Sequence, residues 1–406
     1  MSSRRLLVLV GALPLAAGPC FAAAARPLQT NASANALAHE ATAFGLRFPT
    51  ETPPSERPPG DEQDAAHSHG QMGAWLDQEL RRTDDAIGKP PLSAVAYLEM
   101  RRDALERIVG VLEKGPPEWR RPSKRIVEGP SPPEILSSVR LHRILVAAAL
   151  MEESVGHSLE ASRLLEASWS LSHGLREQGT LLAQLAELGG EKLRVGVLRK
   201  VHEPAVVWMN RLAGKDAWRR MLDAVAAEGT YVSVMDLTES PNAFRDVWHR
   251  ACAAVAEDLN RASPCEIQAL DAERIWKPAL DALEGHGGEE GRTTAELIRD
   301  NFFPIVTNAL RRSARQLVDR ELTLRILQLR LERAGSRDRK WPEKPPRLLS
   351  DVCPGVSYSY RTAGGAVEIA FPEAVEDPSG GVVLPLTFRI SASSESRTLP
   401  PGGERP

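Results

Sequence analysis

Residues 141–173, LHRILVAAALMEESVGHSLEASRLLEASWSLSH, carry the pattern that decides the fold. Leu141, Leu145, Ala148 and Ala149 recur at spacings of three and four, the repeat of one face of a helix. Ala161, Leu164, Leu165, Ser168 and Trp169 repeat the pattern after Gly156-His157, a natural turn. The stretch therefore reads as two amphipathic helices folded back on each other, with Ala149 and Ala161 small enough to let the two axes approach closely.

The same periodicity extends outward in both directions. Upstream, from Met72, Val95, Leu98, Leu105, Ile108, Val109 and Leu112 line one face until Gly115-Pro116-Pro117 stops the chain. Downstream, helices are expected over Thr180 to Val201, Pro204 to Gly229, Pro241 to Ala262 and Pro264 to Leu283, before the break at Gly285 to Gly291. A long helix follows over Thr293 to Arg333, with Val306, Leu310, Leu317, Leu324, Leu327 and Leu331 on one face and a basic opposite face.

The period falls to two after Lys340. Val356, Tyr358 and Tyr360, then Val367, Ile369 and Phe371, then Leu384, Leu386, Phe388 and Ile390 alternate with mostly polar partners. Thr362-Ala363-Gly364-Gly365 and Asp377-Pro378-Ser379-Gly380-Gly381 supply the turns between three strands. The expected fold is mainly α, antiparallel helical hairpins closed by a small C-terminal antiparallel β meander. The expected segments are a signal peptide over 1–25, an N-terminal segment and linker over 26–70, a helical domain over 71–340, a β module over 341–392 and a disordered tail over 393–406. Within the second segment, Ala34 to Phe48 is read as a short helix, and the proline-rich stretch from Phe48 to Gly70 as a mobile linker.

Arg4 and Arg5, the uncharged run Leu6 to Ala25, and an Ala22–Ala25 cleavage site form an export signal. Pro14, Gly18 and Pro19 speak against the alternative, an uncleaved span that anchors the chain. Pro19 also stands where lipidation of Cys20 requires a small residue, and Ser3-Arg4-Arg5 partly matches a twin-arginine signal. The expected location is the periplasm or the extracellular space. Removing Arg4 and Arg5 takes the formal charge from −3 to −5, which excludes a general affinity for nucleic acid. Past the signal, Cys252, Cys265 and Cys353 remain, an odd number with no framework spacing; a Cys252–Cys265 bond would have to cross a helix and a turn. Stability is therefore expected to come from the core.

The unit from Leu145 to His173 resembles one degenerate tetratricopeptide-type repeat, through Leu145, Ala149, Gly156, Ala161, Leu165 and Ser168, with His173 in place of the closing proline and no second copy at that period. Trp75 through Arg101, the hairpin near Ala161, Leu181-Leu182-Ala183-Gln184-Leu185, and Arg330 with Trp341-Pro342-Glu343 resemble a family of exported, largely helical bacterial proteins without an assigned activity. The C-terminal helix, Trp-Pro turn and sheet are also similar to the C-terminal half of type II secretion pseudopilins. Cys353-Pro354-Gly355 replaces the Asp-Pro-x-Gly turn of those proteins and no pilin helix adjoins the module, so pilus assembly is not implied.

No phosphate-binding glycine loop, nucleophile elbow, zinc-protease helix or Cys-x-x-Cys pair occurs in the sequence. His67-Ser68-His69 beside Asp61, Glu62 and Asp64 has the donor types for a divalent ion, but on a mobile linker they lack a preorganised shell. No cofactor or metal is expected. Seven tryptophans, Trp75, Trp119, Trp169, Trp208, Trp218, Trp248 and Trp276, are scattered and read as packing between helices. The strongest partner signal is the basic face of the long helix, Arg311, Arg312, Arg315, Arg320 and Arg325, continued by Arg330 and Arg333. Such a face would dock an acidic protein or an anionic surface, or else pair with acids on neighbouring helices. The weaker alternative site is Glu153, His157 and His202, whose carboxylate and imidazoles suit proton transfer. The expected function is accordingly that of an exported, non-enzymatic interaction or scaffold protein; the alternative is an enzyme or small-ligand-binding protein with a site assembled between helices.

Overall fold

The computed structural model describes residues 32–46, 48, 61–117, 132–176, 180–202, 206–214, 261–268, 303–345, 348–373, 375 and 382–391, with isolated positions between 220 and 300. It is mostly helical. The described elements are α1 (Ala32–Ala41), α2 (Asp61–Leu80), α3 (Leu92–Met100), α4 (Arg102–Leu112), α5 (Pro132–Ser154), α6 (Ser158–Arg176), α7 (Leu181–Leu198), α8 (Val207–Ala213), α9 (Pro264–Gln268) and α10 (Phe303–Gly335), then β1 (Ser359–Ala363), β2 (Ala366–Ala370) and β3 (Thr387–Ile390).

The hairpin read from residues 141–173 is α5 and α6. Gly156, at φ 86°, turns the chain, and the His157 N–H returns to the Glu152 carbonyl at 2.9 Å. Ala149 and Ala161 are both fully buried. Thr180 caps α7, its hydroxyl accepting from the Ala183 N–H at 3.2 Å. Helix α7 lies on the hairpin at Gly190, where a Cβ would meet the His142 ring at 2.9 Å, so only glycine permits this approach. One hydrophobic core joins α1 to α8 and reaches Leu327 of α10. Among the described residues, no helix is long and apolar enough to cross a membrane.

Helix α10 is enclosed on nearly all sides. Val318, Leu322, Ile326 and Leu329 form a second core with Val367, Ile369, Phe388 and Ile390 of the sheet. The sheet is a meander of order β1-β2-β3, with Gly364 and Gly365 at φ 59° and 77° in the two-residue turn between β1 and β2. Arg361, Glu368 and Arg389 stand opposite one another across it. The outer edge of β3 is covered by the loop after α2: the Arg389 N–H donates to the Thr83 carbonyl at 2.7 Å and the Asp85 N–H to the Arg389 carbonyl at 3.2 Å. The Asp85 carboxylate also accepts from the Ser391 hydroxyl at 2.6 Å.

The β module shares its core with α10 and its edge with the α2 loop. Two expectations are corrected. Residues 61–70 are the first half of α2 and not linker, because the apolar stripe of Met72, Trp75 and Leu76 belongs to a helix that starts eleven residues before Met72. Stability does not come from the core alone, because Cys265 of α9 is disulfide-bonded to Cys353, 88 residues away. A bridge closing so long a loop contributes on the order of 4 kcal/mol through the unfolded state. Ser263 and Glu266 fix α9 in a reciprocal cap, Glu266 accepting from the Ser263 N–H at 2.6 Å. Cys252, Trp119, Trp218, Trp248, the N-terminal 25 residues and the tail after 393 lie outside the described residues.

Candidate functional site

The basic face of α10 points inward. Arg315, Arg320 and Arg325 are each at most 4% exposed and so lie in the interior, while Arg311 and Arg312 are half-buried. The reason is local pairing. Asp319, fully buried, accepts from Arg315 Nε at 3.1 Å and from Arg199 Nη2 of α7 at 3.0 Å. Arg325 meets Glu321 at 3.3 Å and Asp351 at 2.9 Å. Further guanidinium N–H groups fasten the C-terminal module: Arg315 donates to the Val375 and Leu384 carbonyls, Arg199 to Pro385 and Arg325 to Leu349. Glu321 accepts from the Ser350 hydroxyl at 2.6 Å and from the Tyr358 hydroxyl at 3.1 Å, and burial followed by the Glu321 charge raises the Tyr358 pKa. Buried charges persist where they are both paired and hydrogen-bonded, and these are.

The C-terminal end of α7 is a second charged node. Arg330 donates to the Leu198, Arg199 and Val201 carbonyls, a cation placed on the negative end of the helix, and Asp85 stands 3.7 Å away. Burial lowers its pKa to about 10. Lys200 donates to the Asp84 and Ala86 carbonyls at 3.0 and 2.8 Å with Glu79 at 3.9 Å, and burial draws its pKa down to about 8. These contacts lock the α2 loop to α7.

Of the alternative site, two members meet and one does not. Glu153 Oε1 accepts from His202 Nδ1 at 2.6 Å and from the His202 backbone N–H at 3.0 Å, across 49 residues. Burial opposes the charge on Glu153, but the bonds from His202 and Ser158 override it and hold the carboxyl below its ordinary value. His157 instead pairs with Glu152 at 2.7 Å on the surface. On α2, His67 contacts Gln71 and His69 contacts the Tyr97 hydroxyl at 2.7 Å, so the two imidazoles engage different partners; burial, with Arg140 and Arg101, lowers His69 to about 4. Among the described residues no group of three potential metal ligands comes together.

Between α5, α6 and α7 lies a constellation that sequence reading missed. His142 Nε2 donates to the Gly190 carbonyl at 2.6 Å, and burial followed by the Arg194 charge lowers its pKa to about 3, so the ring stays neutral. Its other nitrogen faces the Ser168 and Ser172 hydroxyls at 3.4 and 3.5 Å, and Arg194 Nη1 donates to the same two hydroxyls. Next to this, Arg176 pairs with Glu187 at 2.7 Å, and Arg320 approaches Glu191 to 3.4 Å. Burial opposes the Glu191 charge, and Arg320, Arg176, Arg194 and Arg220 overcome it, keeping this carboxyl low. The guanidiniums of Arg176, Arg194 and Arg211 stand 4.2, 5.0 and 4.7 Å from the centre of the Trp169 ring, with Trp208 edge-on to it. Glu187, Glu191 and Arg194 recur at spacings of four and three on α7, as on one helix face. That periodic charge was the available signal.

Fold and site together define a class: a helical bundle whose central helix is held by buried arginine–carboxylate pairs to a disulfide-tied β meander. No protein family, curated protein or solved structure matches the chain in comparison with known proteins.

Proposed function

We propose that this is an exported protein that works by holding a protein partner. The observation that supports this best is the outward face of α3, where Leu92, Ala96 and Met100 follow one another at intervals of four, Leu92 and Met100 being 76% and 75% exposed. The opposite face buries Ala94 and Tyr97. A helix apolar on both faces is normally enclosed, and an aliphatic stripe left in solvent is the kind of surface that partners cover. Export is supported by the basic and apolar segments at the N-terminus and by the Cys265–Cys353 disulfide, a bond that persists in oxidising compartments.

The test is a photo-crosslinking residue placed in the full chain at Leu92 and at Met100, with exposed Glu106 as control, followed by mass spectrometry and N-terminal sequencing of the same material. One adduct shared by the two α3 positions and absent at 106 is the expected result. The reading fails if the α3 positions give no adduct beyond the control, and export fails if the protein retains residues 1–25 in the cytoplasm with Cys265 and Cys353 as free thiols.

The Glu153–His202 pair favours a second reading, an enzyme whose base is His202. Its Nδ1 is fixed by Glu153 and its side chain is 29% exposed, which orients the ring for proton transfer at Nε2. A hydrolytic activity of the purified chain that falls at least 100-fold in His202→Gln would establish it.

A further inference from the structure

The outward face of α3 is complementary to itself. Leu92, Ala96 and Met100 occupy it at intervals of four and all three are exposed, so a small residue stands midway between two long apolar ones. A two-fold axis through Ala96, perpendicular to the helix, exchanges Leu92 with Met100. Two helices related by that axis run antiparallel and cross at their alanines, where the lack of bulk lets them approach, and each Leu92 lies beside the other copy's Met100. The unbranched methionine adapts to the leucine it meets. The opposite face anchors the helix: Ala94 is fully buried, the Tyr97 hydroxyl lies 2.7 Å from His69 Nε2, and the Tyr97 ring stands edge-on to Phe44 at 6.0 Å.

The charges at the two ends obey the same symmetry. Lys89 and Asp103, both exposed, stand equally far from Ala96 on its two sides, so the rotation sets the cation of one copy against the carboxylate of the other. Exposed Glu99 falls opposite Ser93, and exposed Arg102 opposite Pro90. Arg101 is engaged within its own chain, its Nε donating to the Ala43 carbonyl at 2.7 Å and its guanidinium lying 4.0 Å from the centre of the Tyr97 ring. From Lys89 to Asp103, no like charges are opposed. A parallel pairing of the same face would set Lys89, Glu99 and Asp103 each against its own copy, so charge selects the antiparallel arrangement.

We propose that the partner held by α3 is a second copy of this chain, docked antiparallel across Ala96 so that Leu92 of each copy packs on Met100 of the other. The inference rests on the reading of α3 as the partner-holding face and names the occupant of that face. One short helix from each copy supplies the contact, which places the interface at the small end of specific ones and sets the expected dissociation constant on the order of 10 μM.

The test is sedimentation equilibrium of the full chain, disulfide intact, from about 1 to about 200 μM, a range that brackets the expected affinity. A reversible monomer–dimer equilibrium is expected, and Leu92→Glu or Met100→Glu should each weaken it roughly 10-fold or more while leaving the melting temperature at low concentration unchanged. Lys89→Glu should weaken it as well, and adding Asp103→Lys to that variant should restore it, since both signs are then reversed. On mild oxidation, Ala96→Cys should yield a covalent dimer bridged at position 96, because only the residue on the axis meets its own copy; Glu106→Cys, away from the axis, should not. The proposal is overturned if the chain sediments as a monomer throughout, or if Ala96→Cys gives no more covalent dimer than Glu106→Cys. A monomeric chain that still gives one shared foreign adduct from photo-crosslinkers at Leu92 and Met100 sinks self-pairing and keeps the partner-holding reading; absence of any adduct sinks both.

Discussion

The α5–α6 seam and the α7–α10 seam each join two helices, by opposite chemistry. In the first, Leu141, Leu145, Ala149, Ala161, Leu164 and Leu165 are all within 2% of complete burial, and the contact is mainly apolar, with His142, Ser168 and Ser172 as its polar members. In the second, Arg199, Arg315, Asp319, Arg320 and Thr323 are buried just as deeply and the contact is a chain of ion pairs and hydrogen bonds. The apolar seam tolerates loss in proportion to the volume removed, because its attraction is non-directional. The ionic seam is all-or-none, because deleting one partner strands the other charge in a medium that cannot solvate it.

That contrast sets the order of expected effects. Asp319→Ala strands Arg199 and Arg315 together and should lose about 5 kcal/mol or fail to fold, measured by urea denaturation. Leu165→Ala in the apolar seam should lose about 3 kcal/mol. A larger loss at Leu165 than at Asp319 would break the comparison.

Acid sharpens it. His142 sits where the two chemistries meet, with a folded pKa of about 3 against an ordinary value of 6.5. The unfolded chain therefore takes up this proton first, so the contribution of the neutral ring is complete above pH 6.5 and declines as the pH falls toward 3. Between pH 7 and 5 this amounts to about 2 kcal/mol, and His142→Gln should reduce the measured loss over that interval by the same amount. An unchanged pH slope would mean that the ring is solvated in the native state. The smallest effect belongs to the end of α7: Thr180→Ala removes one cap and should cost about 1 kcal/mol, read from the same denaturation curves.

How much of this was legible depended on the kind of force. The hairpin could be read because Leu141, Leu145, Leu164 and Leu165 announce a buried face by spacing alone, and the meander because Tyr358, Val367, Ile369 and Phe388 alternate. The start of α2 was not legible, because Asp61 to Gly70 is polar and its helix is continuous with an apolar stripe that lies further on. The α10 arginines read either as a docking face or as a face paired to acids on neighbouring helices, and spacing alone does not decide between them: Arg315 and Asp319 stand four apart on α10, but that Arg320 meets Glu191 and Asp319 meets Arg199 depends on segments more than 100 residues away. The two members of the alternative site that meet, Glu153 and His202, were named from residue type, and their contact depends on α5 and α7 running side by side.

By itself, the sequence determined the helical class, the hairpin and the strand meander, since each rests on local periodicity, and periodicity expresses which side of an element must leave water. Only the tertiary structure decided that Arg315, Arg320 and Arg325 lie inside and that Cys265 joins Cys353. Charge pairing and disulfide geometry depend on distances of a few ångströms between residues far apart in the chain, and those distances exist only once the chain has folded.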